Sequence, residues 1–344
     1  MITIDKINDE MIWISLLSVG AFVLAMMLTP VYTYFAYRYK FWKRQRSHST
    51  TGEELTVFTK LHADKFKRNI PTMAGVIGVI TIAATTLIFN LDRGQTYLPL
   101  AALIGGGAIG IIDDIINIRG KKLGVAGLRS SLKFAMIIAL STALAYWFYV
   151  KIDGASLVHV PFVGALEFGW FIVPLFAFAI VATSNAVNIS DGLDGLAGGL
   201  LMSAYGAFGV IALLEGQFLL AGFCFTVVGA LLSYVWFNIF PARFFMGDVG
   251  SFAYGTSLGV IAMLTNTIFL LPVIGFVFVI EAGSSLIQIT SKKFFGKKIF
   301  ISAPIHHHLE AIGWPETKVT MRFWVIGAIS AVLGIFVALA GGNI

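Results

Sequence analysis

One cysteine, Cys224, stands in the whole chain. No disulfide can form within it, so cysteine usage leaves the redox compartment open. Charge is also scarce: 12% of the 344 residues are Asp, Glu, Lys or Arg, where a soluble domain carries roughly 25%. Hydrophobic residues make up 58%, and the mean hydropathy is +0.86. These shortages exclude a soluble fold and leave an integral membrane protein. The start of the chain sets Asp5, Asp9 and Glu10 against Lys6, which is not the basic start of a cleaved signal peptide. No targeting motif, soluble domain, internal repeat or low-complexity tract is legible, and 1–344 reads as one membrane domain.

A helix needs about 20 apolar residues to cross the hydrocarbon core. Ten runs fit: 11–36, 72–91, 97–112, 132–150, 168–186, 196–214, 217–237, 251–266, 268–290 and 322–341. The expected fold is all-α and polytopic, with about ten transmembrane helices. Pro30 lies in the first run, where it is placed to kink the helix. Thr265-Asn266-Thr267 barely separates the eighth run from the ninth. Lys and Arg set orientation. Of 24 such residues, Lys6, Arg93 and Lys151 alone lie on the side of the termini. Both termini are therefore expected outside, with every basic loop cytoplasmic. The net charge of +6 then reads as attraction to the membrane surface, not as a footprint for nucleic acid. The longer outer loop, 151–167, is rich in β-branched residues and carries Gly and Pro. It suggests a small hairpin, with His159 solvated and structural.

Chemistry gathers between the runs. Asn185, Asn188, Asp191 and Asp194 recur at steps of three, so a helical turn puts them roughly on one side. Lipid offers carboxylates no partner, so these groups must meet water, a cation or a polar ligand. Helix capping is the plainer alternative. Asp113 and Asp114 end the third run after a glycine-rich stretch. Neighbours on a helix point about 100° apart, so one could hold a metal while the other takes a proton. Asp248 lies between Gly247 and Gly250 at the entry to the eighth run, with Ser251 as a candidate N-cap and Phe245 placed to stack on a base. Five carboxylates from three junctions thus share one membrane face, and they repel unless a cation lies between them. Hard oxygen ligands in a partly solvated site suit Mg²⁺, which takes one or two carboxylates plus phosphate oxygens. His306, His307 and His308 are consecutive and cannot all point one way, which argues against a zinc site made from them alone. One or two of them could contact a diphosphate. Lys65, Lys67, Arg68 and Lys133 add positive charge on the same face.

These segments carry a resemblance. Asn185 to Ala197 matches NxxNxxDGLDGLA, and Asn238 to Ser251 matches NxxPAxxFMGDxGS. Pro304 to Pro315 is similar to PLHHHFE…GWPE, and Gly127 to Phe134 is similar to GLSARxKF. From about Pro71 to Arg322 the chain resembles the phospho-N-acetylmuramoyl-pentapeptide transferases, of the polyprenyl-phosphate N-acetylhexosamine-1-phosphate transferase superfamily. It departs from that pattern at Asn117, where the DDxxK motif has lysine, at Ala74, and at Arg243. The resemblance implies transfer of phospho-MurNAc-pentapeptide from UDP-MurNAc-pentapeptide to undecaprenyl phosphate. The products are lipid I and UMP. It also implies a bacterial cytoplasmic membrane, a site on its inner face, Mg²⁺ and a homodimer. On this reading Asp248 is a metal ligand, and Asp113 or Asp114 is a second ligand or the base. His306, His307 and Lys133 handle the diphosphate or sugar. Asn188, Asp191, Asp194 and Phe245 form the nucleoside site, with Lys67, Asn185, Asn238 and His308 as further substrate contacts. Three rival readings are a transferase of N-acetylglucosamine-1-phosphate, a cation or substrate transporter, and an inactive relative or scaffold, the last raised by Asn117. The triple His and Gly313-Trp314-Pro315 argue against the first. Carboxylates at span ends, not near a midplane, argue against the second.

Overall fold

The computed structural model of the chain describes residues 4–42, 69–119, 127–152 and 156–342. Lys65, Lys67 and Arg68 lie outside the described residues. The helices are α1 (Ile4–Arg38), α2 (Gly75–Phe89), α3 (Tyr97–Arg119), α4 (Ser130–Lys151), α5 (Ile172–Ser190) and α6 (Leu196–Leu214). There follow α7 (Phe218–Asn238), α8 (Gly247–Leu264), the short α9 (Leu271–Ile274), α10 (Phe276–Phe295), α11 (Ile305–Ala311) and α12 (Glu316–Ala340). Between α4 and α5 lies a hairpin of β1 (Leu157–Val160) and β2 (Gly164–Glu167). Each of the ten apolar runs corresponds to a helix, or to the broken pair α9–α10. Pro30 lies inside α1, which continues past it to Arg38.

Among the described residues, seven helices are long and apolar enough to cross a membrane. There are eight if the segment ending in α9 and the helix α10, bent by 83°, count as one span. The helices α2 and α8 fall short, for different reasons. α2 has only 15 residues. α8 is buried from Gly247 through Met263, so it meets protein on every side. Its Gly, Ser, Thr and Asp residues lower its hydropathy without exposing polar groups to lipid.

α8 is the axis of the bundle. Apolar side chains have no reason to leave lipid for one another, so close packing and interhelical hydrogen bonds must bind the helices. Glycine supplies the closeness. A Cβ built on Gly75 of α2 would overlap the backbone of Gly250. On Gly106 or Gly110 of α3 it would overlap the backbone of α8 at Phe252 or at Asp248 and Val249. Gly255 and Gly259 of α8 close in the same way on Ser184 and Ile180 of α5. Hydroxyls add the bonds: Thr256 Oγ1 donates to the Ala102 carbonyl at 2.8 Å, and Ser257 Oγ to that of Pro99 at 3.1 Å.

The hairpin pairs Leu157 with Glu167 and Val160 with Gly164. His159 joins it to the bundle. Its backbone N–H donates to Asn266 Oδ1 at 3.1 Å, and its Nε2 lies 3.1 Å from the Gly341 carbonyl. His159 is therefore structural as expected, but tied down instead of simply solvated.

At the same end, Glu215 follows α6. Burial pushes its carboxyl from an ordinary 4.5 up to about 8. The folded state thus holds this proton more tightly than the unfolded chain does. The contribution is full below about 4.5 and is lost as pH rises toward about 8. Melting temperature in detergent should therefore fall across this window, and Glu215→Gln should flatten the fall. Parallel pH profiles for the two proteins would refute it.

Candidate active site

The face of α3 that carries Gly106 and Gly110 against α8 continues, turn by turn, into Asp113, Asp114 and Asn117, all buried. The glycines bring the two backbones together, and the carboxylates follow at the loop end. Asp113 and Asp248 there meet around one cation. Lys133 Nζ, from the first turns of α4, lies 3.1 Å from Asp113 Oδ2 and 2.8 Å from Asp248 Oδ2. The other oxygen of Asp113 accepts the Leu128 N–H at 2.8 Å. Gly127 makes that turn possible with φ +86°, and a Cβ there would sit 3.2 Å from Asp113 Oδ1. Two buried carboxylates from separate helices would repel, and the ammonium offsets the repulsion.

Asp114 points elsewhere, as adjacent helical residues must. Its Oδ2 accepts the Val249 N–H at 3.1 Å, which places negative charge on the N-terminal turn of α8. Ser251 is not the N-cap that the sequence suggests. The helix begins four residues earlier, at Gly247. Ser251 Oγ instead accepts the Asn188 amide at 2.8 Å, linking α5 to the Asp248 turn. Phe245 has its backbone held on both sides. Its N–H donates to the Pro71 carbonyl at 2.8 Å, and its own carbonyl accepts the Ala74 N–H at 3.0 Å. Its ring is half-buried.

The step of three beginning at Asn185 holds only as far as the helix does. α5 ends at Ser190 and Asp191 is its half-buried C-cap. Asn185 bonds back to the Val181 carbonyl at 2.7 Å. Past the helix the chain turns at Gly195, φ +77°, and Asp194 leaves the stripe. Its Oδ2 accepts the Ala242 N–H at 2.9 Å, while its N–H donates to Glu316 Oε1 at 2.6 Å. Asn238 accepts the Gly195 N–H at 2.9 Å and donates to the Phe244 carbonyl at 2.8 Å. Asp194 and Asn238 thus fasten the α5–α6 and α7–α8 loops to each other.

The three histidines of α11 point three ways. His306 Nδ1 is 2.6 Å from Glu281 Oε2, and His307 Nδ1 is 2.8 Å from Glu310 Oε2. His308 Nδ1 accepts the Ile301 N–H at 3.3 Å. The far end of the His306 ring lies against Gly192, where any Cβ would overlap Nε2. His306 is thereby brought to the Asp191 turn, whereas His308 faces away from it.

Of the five carboxylates expected on one face, two share a cation. Asp113 and Asp248 converge, the ammonium of Lys133 joins them, and Asp114 and Asp194 are turned to backbone N–H groups. Glu281 is the residue missed. Its signal was present, since a lone carboxylate inside the apolar run 268–290 demands a partner. Glu316 was missed because its partner is a backbone N–H, which leaves no trace in residue type.

The fold and this site define a polytopic membrane protein with an ammonium-bridged carboxylate cluster at one end of its bundle. Residues 95–266 match the family described as Glycosyl transferase family 4. The phospho-N-acetylmuramoyl-pentapeptide-transferase of Chloroflexus aurantiacus is 39% identical over 340 residues, covering 95% of this chain and 90% of that protein. That of Geobacillus thermodenitrificans is 38% identical, covering 92% and 95%. That of Listeria welshimeri is 38% identical, covering 93% and 96%. The chain belongs to the phospho-N-acetylmuramoyl-pentapeptide-transferase family of glycosyl transferases.

Proposed function

We propose that this chain moves phospho-MurNAc-pentapeptide from UDP-MurNAc-pentapeptide to undecaprenyl phosphate, releasing UMP and leaving lipid I. Family membership supports the reaction. The single structural observation that carries it is the Lys133 ammonium between Asp113 and Asp248. We further propose that this end of the bundle faces the cytoplasm, because the basic loops lie on that side.

The carboxylate pair also bears on Mg²⁺. Lys133 Nζ marks a position where a cation reaches oxygens from two helices. Among the described residues, no group of three or more His, Cys, Asp or Glu is arranged to hold a metal. Two carboxylates with phosphate oxygens and water are nonetheless a donor set that Mg²⁺ accepts, so the residues fit. Asp113 and Asp248 would hold it, and when bound it would supply positive charge to the diphosphate. Lys133 would then turn from the carboxylates to a phosphate oxygen, as a flexible point charge can. A phosphate monoester has a second pKa near 6, so the lipid phosphate is largely deprotonated at neutral pH. It can attack without a protein base, and Asp113 can remain a charge partner. Phe245, its backbone fixed by Pro71 and Ala74, presents a ring to the uracil.

The test is UMP release by purified protein given both substrates, with and without Mg²⁺. Release from UDP-N-acetylglucosamine but not from UDP-MurNAc-pentapeptide would overturn the assignment. So would uptake of substrate into vesicles without cleavage. Phe245→Ala should weaken nucleotide binding by about 1–3 kcal/mol, the usual value of a stacked base. An unchanged affinity by calorimetry would place the ring at the lipid interface instead.

A further inference from the structure

Glu281 lies within α10 and, with His306, is fully buried. A carboxylate at such a position costs free energy unless a partner is fixed in place. The partner is His306 Nδ1, 2.6 Å away. The opposite end of the ring reaches Gly192, and that contact explains the glycine. Gly192 is not one of the positive-φ residues, so its backbone would tolerate a side chain. The His306 ring fills the space that a Cβ would need. Three elements distant in sequence are thus arranged in line: the α10 carboxylate, the α11 imidazole and the turn that follows α5. A second titratable pair lies beside it, and His307 also acts on the Glu281 carboxyl. His307 stacks edge-on to His306 with centroids 4.1 Å apart, and its own carboxylate is Glu310 at 2.8 Å.

We propose that Glu281 is a positioning residue for the transfer reaction: it accepts the Nδ1–H of His306 and thereby fixes the ring, with Nε2 enclosed against Gly192, behind the Asp191–Gly192 turn of the nucleotide-sugar site. A neutral imidazole otherwise divides its proton between two nitrogens and its ring between two orientations. With Nδ1–H committed to Glu281, both are fixed. When the ring takes a second proton, the Glu281 carboxylate balances the positive charge that forms. The proposal rests on the transferase reading for its ligand, but not for its geometry.

Two measurements test it. Glu281→Gln keeps an acceptor for Nδ1–H but removes the balancing charge. It should lower kcat about 10–100-fold, the usual effect of losing a carboxylate behind a functional histidine, with KM for the nucleotide-sugar little changed. In a His306→Gln background the same substitution should cost nothing more, because both changes remove one function. Additive losses, or wild-type kcat in Glu281→Gln, would overturn the proposal. The second measurement is the ¹⁵N spectrum of histidine-labelled protein. His306 should show a protonated Nδ1 in the wild type and a scrambled tautomer in Glu281→Leu. A wild-type ring protonated at Nε2 alone would overturn it. If the wild type releases no UMP, the transferase reading fails, and the nitrogen shifts still decide the positioning claim.

Discussion

Asp248→Asn should cut UMP release by about 10²–10³-fold, the scale of losing one electrostatic contact to a reacting group, and leave the fold in place. The substitution keeps shape and removes charge. The new amide would still offer an oxygen to Lys133 Nζ, and that ammonium would retain Asp113 at 3.1 Å. The backbone of Asp248 packs against Gly110, and this contact does not depend on side-chain charge. Melting temperature should therefore move little. Charge is what the reaction needs. With one carboxylate the site would hold a divalent cation poorly, and Lys133 would keep one of its two anionic partners. Mn²⁺ titration followed by electron paramagnetic resonance should show weaker binding in the variant, independently of turnover. Asp114→Asn makes the contrast. Asp114 Oδ2 serves the Val249 N–H, so that change should act more on stability than on metal affinity. Full release by Asp248→Asn would reduce Asp248 to a counter-ion for Lys133.

The sequence showed the carboxylates but not their division of labour. Composition and apolar period were enough for the helices, because lipid leaves a chain few other ways to satisfy its backbone. The hairpin was legible from its β-branched residues and turn signals. Asp113, Asp248 and Lys133 could be singled out because each is a charge at a span end. That Lys133 would be the cation between the other two was not legible, since it depends on where the turn at Gly127 sets α4. The stripe from Asn185 to Asp194 was overextended for a related reason. A step of three is meaningful only while the helix lasts, and α5 stops at Ser190. At α8 the run was legible as apolar but its complete enclosure by protein was not, since burial from Gly247 through Met263 depends on the helices around it.

The glycines of α3 give the sharpest separation of neighbouring positions. Gly110→Ala should destabilise the protein by about 1–3 kcal/mol or more, the cost of overpacking a filled interface, and should also suppress UMP release. The added Cβ would meet backbone atoms of Asp248 and Val249, and backbone cannot rotate away. The two helices must therefore separate. Asp113 lies one turn beyond Gly110 on the same face, so the separation carries it from Asp248 and opens the pair around Lys133. Gly106→Ala should act similarly, since its Cβ would meet the Phe252 backbone. Gly105 and Gly107 provide the controls. At Gly105 the new atom would meet only Leu140 methyls, at 2.8 and 3.1 Å, which can shift. At Gly107 its nearest neighbours lie at 3.5 Å, in ordinary contact. Alanine there should be neutral or stabilising by up to about 1 kcal/mol, the helix-propensity difference. Thermal melts and UMP release on the four variants would show two impaired and two intact. Equal behaviour of all four would mean that α3 and α8 are not held at glycine distance, and the carboxylate pair would lose its structural cause.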